Sequence, residues 1–141
     1  RIAGYKCFYI PNVTIYHRRA TSTSRAPEDL KVKLKYGFNK NRIATLFKNY
    51  ELFTLFQSLP VVFLLYIAIG AFEIFYKRLL KFGLTRYQAL GWFFINLPSL
   101  LNKRSRSQKI RVLSDKEAII PYLTKGKMLT GFLNFVQSKK W

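Results

Sequence analysis

Hydrophobic residues are concentrated in the middle of the chain, in one long run from Leu52 to Tyr76. The run contains no Lys or Arg, and its only charged residue, Glu73, lies near its end. A helix rises about 1.5 Å per residue, so the whole run is long enough to cross a hydrocarbon layer roughly 30 Å thick, whereas its apolar core, 59–72, is too short. A buried core helix of a soluble protein is the alternative. The pattern favours a membrane-associated helix.

A second apolar segment covers 87–101 and has the length of an interfacial or re-entrant segment rather than of a spanning one. Tyr87 and Trp92 within it suit a position among lipid headgroups. The residues expected to contact the membrane are Leu52, Pro60, Phe63, Tyr66, Phe72 and Trp92.

The residues before the long run give two conflicting signals. Positions 30–38 alternate between apolar residues and lysines, which is the period of a strand. Pro27, Glu28 and Asp29 instead form a good helix start, because proline suits the first turn and acids suit the positive end of the helix dipole. From 39 to 50 the apolar spacing is helical. Periodicity alone favours a strand for the first half.

The beginning of the chain is rich in aromatic and β-branched residues. Segments 5–10 and 13–17 read as two short strands separated by a Pro-Asn turn, and 18–27 reads as a basic, hydroxyl-rich loop. Two isolated strands are only marginally stable, so we expect them to belong to a larger sheet and the chain to be the C-terminal part of a longer protein. Near the other end, Ser114 to Glu117 has the pattern of a capping box, which predicts a short helix.

Charge sharpens this picture. The chain has 25 Lys and Arg against 6 Asp and Glu, a formal net charge of +19. Basic residues precede the long run, separate the two apolar segments and follow the second one, and positive flanks favour the cytoplasmic side. A single crossing or a two-crossing hairpin would place one of these flanks outside. An in-plane or dipping helix, allowed by Pro60 and Gly70, keeps them all on one side. Crossing and in-plane arrangements both remain open.

The charge also bears on partners. Basic segments beside apolar ones are attracted to anionic lipids. A nucleic-acid-binding module is an alternative, but it has no need of a long apolar run. The single cysteine, Cys7, excludes an internal disulfide and a zinc cluster.

Candidate chemistry is sparse. The six acids form no convincing catalytic or metal-binding group, and the sequence has no glycine-rich phosphate loop or nucleophile elbow. His17 is the only histidine, and the adjacent arginines favour its neutral, metal-binding form. Together Arg18, Arg19, Thr21 and Ser22 offer hydrogen-bond donors suited to a diphosphate.

Several short motifs carry a resemblance. Near the start they are R-I-A-G-Y-K at 1–6, F-Y-I-P at 8–11, I-Y-H at 15–17 and A-T-S at 20–22. Further on they are Asn41-Arg42, Thr45-Leu46, Lys48-Asn49, Asn96 to Pro98, Lys103-Arg104, Gln108 and Arg111. In this order they resemble the end of the catalytic domain and the membrane-associated tail of family 2 glycosyltransferases, most closely the rhamnosyltransferase-like members.

The resemblance implies a fold that is mostly α with a short β portion. The last strands of an α/β domain of the GT-A type would be followed by membrane-associated hydrophobic helices. The implied division is 1–26 for the edge of the catalytic domain, 27–50 for a connecting helix, 51–101 for the membrane region with its segments 52–76 and 87–101, and 102–141 for a basic cytoplasmic tail. It also favours a helix at 30–38.

The implied function is transfer of a sugar from a nucleotide-sugar donor to a lipid-linked or cell-surface glycan acceptor at the cytoplasmic face of the cell membrane. By resemblance His17 helps bind a divalent metal, Mg or Mn, or the donor diphosphate, and the loop with Arg18, Arg19, Thr21 and Ser22 closes over donor and acceptor. Asn41 and Arg42 match a family pair whose role the residues do not reveal.

The sequence departs from the family in one respect. The family's Asp-x-Asp metal motif and catalytic base are absent, so this chain alone should be inactive. The alternative function is that of a small, non-enzymatic cationic membrane protein that binds anionic lipid.

Overall fold

In the computed structural model, residues 2–5 and 26–119 are described, and within these ranges the chain forms five helices. They are α1 (Glu28–Asn49), α2 (Leu52–Phe75), α3 (Leu80–Ile95), α4 (Leu97–Lys109) and α5 (Asp115–Ala118). Short turns join the helices, and the most extensive packing is between α2 and α3, between α1 and α3 and between α1 and α4.

The predicted α/β fold is wrong for the described residues, of which 81% are helical and none lies in a strand. Residues 2–4 form a turn, in which Gly4 takes the left-handed conformation at φ +81°, so the backbone is not extended there. The Ile2 carbonyl accepts hydrogen bonds from the backbone N–H groups of Val112 and Leu113 rather than from a neighbouring strand. Apart from Tyr5, the predicted strands at 5–10 and 13–17 lie outside the described residues.

Helix α1 settles the conflict at 30–38 in favour of the helix. It begins after Pro27, with Glu28 and Asp29 in its first turn, where carboxylates interact favourably with the helix dipole. The alternating pattern divides the apolar residues between different faces of the helix. Leu30, Leu34 and Phe38 are four residues apart and exposed, while the positions between them point elsewhere.

Helix α2 is continuous from Leu52 to Phe75 and includes Pro60. It has a mean hydropathy of 2.1 over 18 residues, and among the described helices it alone is long and apolar enough to cross a membrane. Only 11% of that window is buried, which distinguishes α2 from the core helix of a soluble protein.

The second apolar segment does not form one element. Asn96 interrupts it with φ −97° and ψ 12°, and its side-chain amide donates a hydrogen bond to the Trp92 carbonyl. Pro98 then occupies the first turn of α4, where its missing N–H costs nothing. Residues 87–101 are therefore divided between the end of α3 and the start of α4.

Helix α3 packs against both longer helices, antiparallel to α2 and parallel to α1. The Phe93 ring makes edge-to-face contacts with Phe47 of α1 and Phe63 of α2, at centroid distances of 5.2 Å and 5.4 Å. Gly70 and Gly83 let α2 and α3 approach closely, because a Cβ at Gly83 would lie 2.8 Å from the Gly70 carbonyl oxygen.

Candidate membrane-docking surface

One side of α2 is an exposed apolar stripe. Its members recur at helical spacing, and they are Phe53, Phe56, Pro60, Leu64, Ile67 and Phe75. From the rise per residue, a helix of 24 residues extends for roughly 36 Å. An exposed apolar surface of this length is unusual in a soluble monomer and typical of a binding or membrane surface.

Helix α3 continues this surface. Phe94 and Ile95 are exposed, and the Phe94 ring lies 5.6 Å from that of Phe63 on α2. We call the α2 stripe together with Phe94 and Ile95 the apolar face. It joins the long helix to part of the second apolar segment.

The expected membrane residues on α2 occupy different environments. Pro60 is exposed within the stripe and Leu52 is exposed at the start of the helix, whereas Phe63 and Phe72 are half-buried. Tyr66 is 3% exposed, and its hydroxyl donates a 3.0 Å hydrogen bond to the Asn39 carbonyl of α1. Tyr66 therefore attaches α2 to its neighbour rather than facing outward.

The expected membrane residue on α3, Trp92, is also half-buried. The Nζ atom of Lys40 lies 5.1 Å from the centroid of its ring. A cation over an indole ring is a favourable contact, and it brings Lys40 of α1 against α3.

Glu73, the single charge of α2, is paired on both sides. Arg86 of α3 donates from Nε and Nη2 to the two carboxylate oxygens, each at 3.1 Å, and Lys35 of α1 donates from Nζ at 2.7 Å. Glu73 is 1% exposed, so these partners offset a large cost of removing its charge from water. We call Lys35, Glu73 and Arg86 the ion cluster.

The ion cluster lies in a polar environment that continues along the helices. The Asn39 amide donates to the Thr85 hydroxyl at 3.0 Å, and that hydroxyl donates to the Phe82 carbonyl at 2.6 Å. Burial lowers the pKa of Lys35, while its hydrogen bond to Glu73 and the carboxylate charge act in the opposite direction. The contacts fix the register of α1 against α2 and α3.

At its other end α1 is held through its own backbone. Arg104 donates from Nη1 to the carbonyls of Phe47 and Tyr50, at 2.5 Å and 2.7 Å, and Gln108 donates to the Lys48 carbonyl at 2.8 Å. These carbonyls belong to the end of a helix, where intrahelical donors are lacking, and a positive charge there also suits the dipole. Arg104 and Gln108, with Arg111, form what we call the cationic cap.

Arg111 connects the cationic cap to the rest of the tail. It donates to the Asn49 carbonyl and, at 3.1 Å, to the Asp115 carboxylate. The other Asp115 oxygen accepts the Glu51 backbone N–H at 2.7 Å, just before α2 begins. The capping box predicted at Ser114 and Glu117 is confirmed and starts the helix that carries Asp115.

The predicted metal and donor-loop residues, His17, Arg18, Arg19, Thr21 and Ser22, lie outside the described residues and stay predictions. Within ranges 2–5 and 26–119, no three His, Cys, Asp or Glu side chains are grouped so that they fit a metal ion. The structure places Asn41 and Arg42 on the outer side of α1, both exposed and both lining an open groove.

Sequence reasoning missed the ion cluster and the cationic cap. A glutamate inside an apolar helix is a signal that a basic partner is needed, but the sequence offers many lysines and arginines and does not identify Lys35 and Arg86. Gln108 and Arg111 were noted as matches to a family tail. Their role at the end of α1 emerges only when α4 packs against α1.

Comparison of the chain with known protein families, with curated proteins and with solved structures finds no match in any of the three. What the chain does therefore has to be inferred from its own residues and their arrangement.

Proposed function

We propose that this chain is the membrane-docking C-terminal part of a family 2 glycosyltransferase. The whole enzyme would transfer a sugar from a nucleotide-sugar donor to a lipid-linked or cell-surface glycan acceptor. The helices would hold the catalytic part against the cytoplasmic face of the cell membrane. The observation that carries the docking proposal is the apolar face, which runs along the whole of α2.

The neighbour of α2 supports an in-plane position over a crossing. Helix α1 follows α2 in the opposite direction, from Lys35 beside Glu73 to the turn that precedes Leu52. It carries many exposed or half-exposed charges, among them Lys33 and Lys40. If α2 crossed the bilayer, these charges would enter the hydrocarbon at about 2.5–3.5 kcal/mol each near its centre. A helix lying in the interface leaves them in water.

The transferase part of the proposal rests on the resemblance. Its support from the fold is that separate pieces of the family pattern meet. Asn96 and Pro98 start α4, and Arg104 and Gln108 of α4 bind the end of the helix that carries Asn41 and Arg42. Two contacts join matched positions directly, because Gln108 donates to the Lys48 carbonyl and Arg111 donates to the Asn49 carbonyl. In this proposal His17 binds the divalent metal or the donor diphosphate.

The docking proposal is tested with three exposed residues of the apolar face. In the full-length enzyme, including the sequence upstream of Arg1, Phe53→Ser, Phe56→Ser and Leu64→Ser are combined. We expect this variant to leave the membrane fraction during a high-salt wash. Transfer to a membrane-embedded acceptor should fall, while hydrolysis of the nucleotide-sugar donor should persist, because the donor is soluble. A full-length protein that turns over no nucleotide sugar contradicts the transferase assignment.

A matched control replaces exposed apolar residues away from the apolar face. Ile110→Ser combined with Val112→Ser removes apolar surface from the tail, and this variant should remain membrane-bound. Orientation is tested by Cys7→Ser combined with either Arg78→Cys or Lys103→Cys. Arg78 follows the end of α2, and Lys103 is next to Arg104, which binds the Tyr50 carbonyl just before α2 begins. Both should react with an impermeant maleimide from the cytoplasmic side. Labelling from opposite sides would mean that α2 crosses the bilayer.

A further inference from the structure

A groove with a volume of about 830 Å³ lies along the outer side of α1, between that helix and the segment that contains Ala118 and Ile119. Small-molecule sites commonly have volumes of roughly 300–1,000 Å³, so the groove is large enough for a ligand. Two of its residues, Asn49 and Tyr50, lie in the short connection from the end of α1 to Leu52, where α2 begins. The groove therefore opens beside the start of the membrane helix.

One wall of the groove is polar and positively charged. Asn41, Thr45 and Asn49 recur at intervals of four residues and so lie along one side of α1, with Arg42 beside them. None of the described residues that line the groove is acidic. A guanidinium accompanied by amide and hydroxyl donors is complementary to a phosphate oxygen cluster.

An apolar path leads to this polar wall. Phe38 lines the groove and is 71% exposed, and Leu34 and Leu30 continue from it at intervals of four residues, both also exposed. Four-residue spacing places the three side chains in one row on α1. Such a row provides a surface for an acyl chain whose head group lies near Arg42.

We propose that the groove binds one anionic membrane phospholipid, with its phosphate at Arg42 and an acyl chain along Phe38 and the row leading to Leu30. This inference rests on the proposed membrane docking and adds a specific site to it. Charge complementarity favours a phosphate group, and the adjoining apolar row together with the start of α2 favours a lipid over a free anion.

The test measures lipid binding directly. The full chain is kept in neutral detergent and titrated with short-chain phosphatidylglycerol, and bound lipid is counted by native mass spectrometry. We expect saturation at one lipid per chain. Arg42→Gln should weaken binding by about tenfold, as for loss of a hydrogen bond between charged groups. Thr45→Val, which removes a hydroxyl without changing charge, should weaken it by a smaller factor.

The matched control is Arg106→Gln, which removes another exposed cation, on α4 and outside the groove. It should leave the one-lipid stoichiometry and affinity unchanged. Equal losses in both variants would mean diffuse attraction and would overturn the site. Titration with inorganic phosphate distinguishes a lipid site from a site for free phosphate. If inorganic phosphate bound as tightly as phosphatidylglycerol, a lipid site would be ruled out.

Failure of this site is distinguishable from failure of docking. Sedimentation with vesicles of phosphatidylcholine, with and without phosphatidylglycerol, measures docking by the apolar face. A chain that sediments with both vesicles but binds no phosphatidylglycerol in detergent would retain docking and lose the proposed site. Circular dichroism of each variant verifies that the helices are intact.

Discussion

The two ends of α2 are connected to the rest of the molecule by different chemistry. Near its C-terminal end, the Glu73 side chain binds the charged side chains of Lys35 and Arg86. At the opposite end, where α1 turns into α2, Arg104 and its neighbours bind backbone carbonyls that α1 leaves without helical donors. One end depends on a single carboxylate, whereas the other divides the task among several donors.

This difference teaches where the structure is vulnerable. The attraction within a buried ion cluster offsets the large cost of removing its charges from water. Replacing one member therefore leaves a buried charge without compensation. Hydrogen bonds to helix carbonyls are individually weaker, and Gln108 also donates to the Tyr50 carbonyl that Arg104 binds. We therefore expect substitutions at the ion cluster to lower the free energy of unfolding more than substitutions at the cationic cap.

The largest effect is expected for Glu73→Gln. The amide keeps the size of the side chain but removes the charge that Lys35 and Arg86 face, so unfolding in neutral detergent should become easier by about 3–5 kcal/mol. Hydrogen exchange should accelerate at the Lys35 end of α1 before the Asn49 end. Glu28→Gln is the control, because its ion pair with Lys81 is largely exposed. If both variants unfold alike, the ion cluster is not what holds this end.

A smaller effect is expected for Gly83→Ala. The new Cβ would lie 2.6 Å from Ile74 Cγ1 and 2.8 Å from the Gly70 carbonyl oxygen, and the backbone atom cannot move cheaply. Thermal unfolding should show that the free energy of unfolding falls by about 1–3 kcal/mol. Gly91→Ala on the same helix meets nothing within 4 Å, so it should stabilise α3 by up to about 1 kcal/mol. If Gly83→Ala and Gly91→Ala changed the free energy of unfolding equally, the close approach of α2 and α3 at Gly83 would be refuted.

The smallest effect is expected for Arg104→Met. It removes the donors to the Phe47 and Tyr50 carbonyls while keeping an apolar side chain, so the free energy of unfolding should fall by about 1–2 kcal/mol. Exchange should accelerate near the end of α1 and remain slow at the ion cluster. Arg106→Met, an exposed neighbour on α4, should unfold like the original protein. A loss larger than that of Glu73→Gln would reverse the comparison.

The helices were partly predictable. The signals at Pro27 and Ser114 lie within a few residues of the helix starts they indicate, so local chemistry was sufficient. The alternation at 30–38 favoured a strand, and that interpretation was wrong. In a helix, a period of two distributes the apolar residues over several faces, and the pattern does not indicate which face packs against another helix. The break at Asn96 was missed because an asparagine followed by a Leu-Pro pair both ends one helix and starts the next.

The apolar face was predictable in its position along the chain, but the residues that form it were not. Length and hydropathy identified α2, yet Tyr66 was expected at the membrane and lies against Asn39. An aromatic residue suits either a headgroup or a buried partner, and only packing with α1 decides between them. The groove beside Arg42 depends on Ile119 and Ile2 meeting α1 from distant parts of the chain, which no local pattern encodes.

The carbonyl of Ile2, which binds the amides of Val112 and Leu113, also has a consequence for the order of events during synthesis. Ile2 leaves the ribosome before its partners, which follow only after α1 to α4 have been made. Closing so long a loop before those helices pack would cost entropy without compensating contacts. Joining these two distant segments is therefore a late step, which completes the groove only after α1 to α4 have packed together.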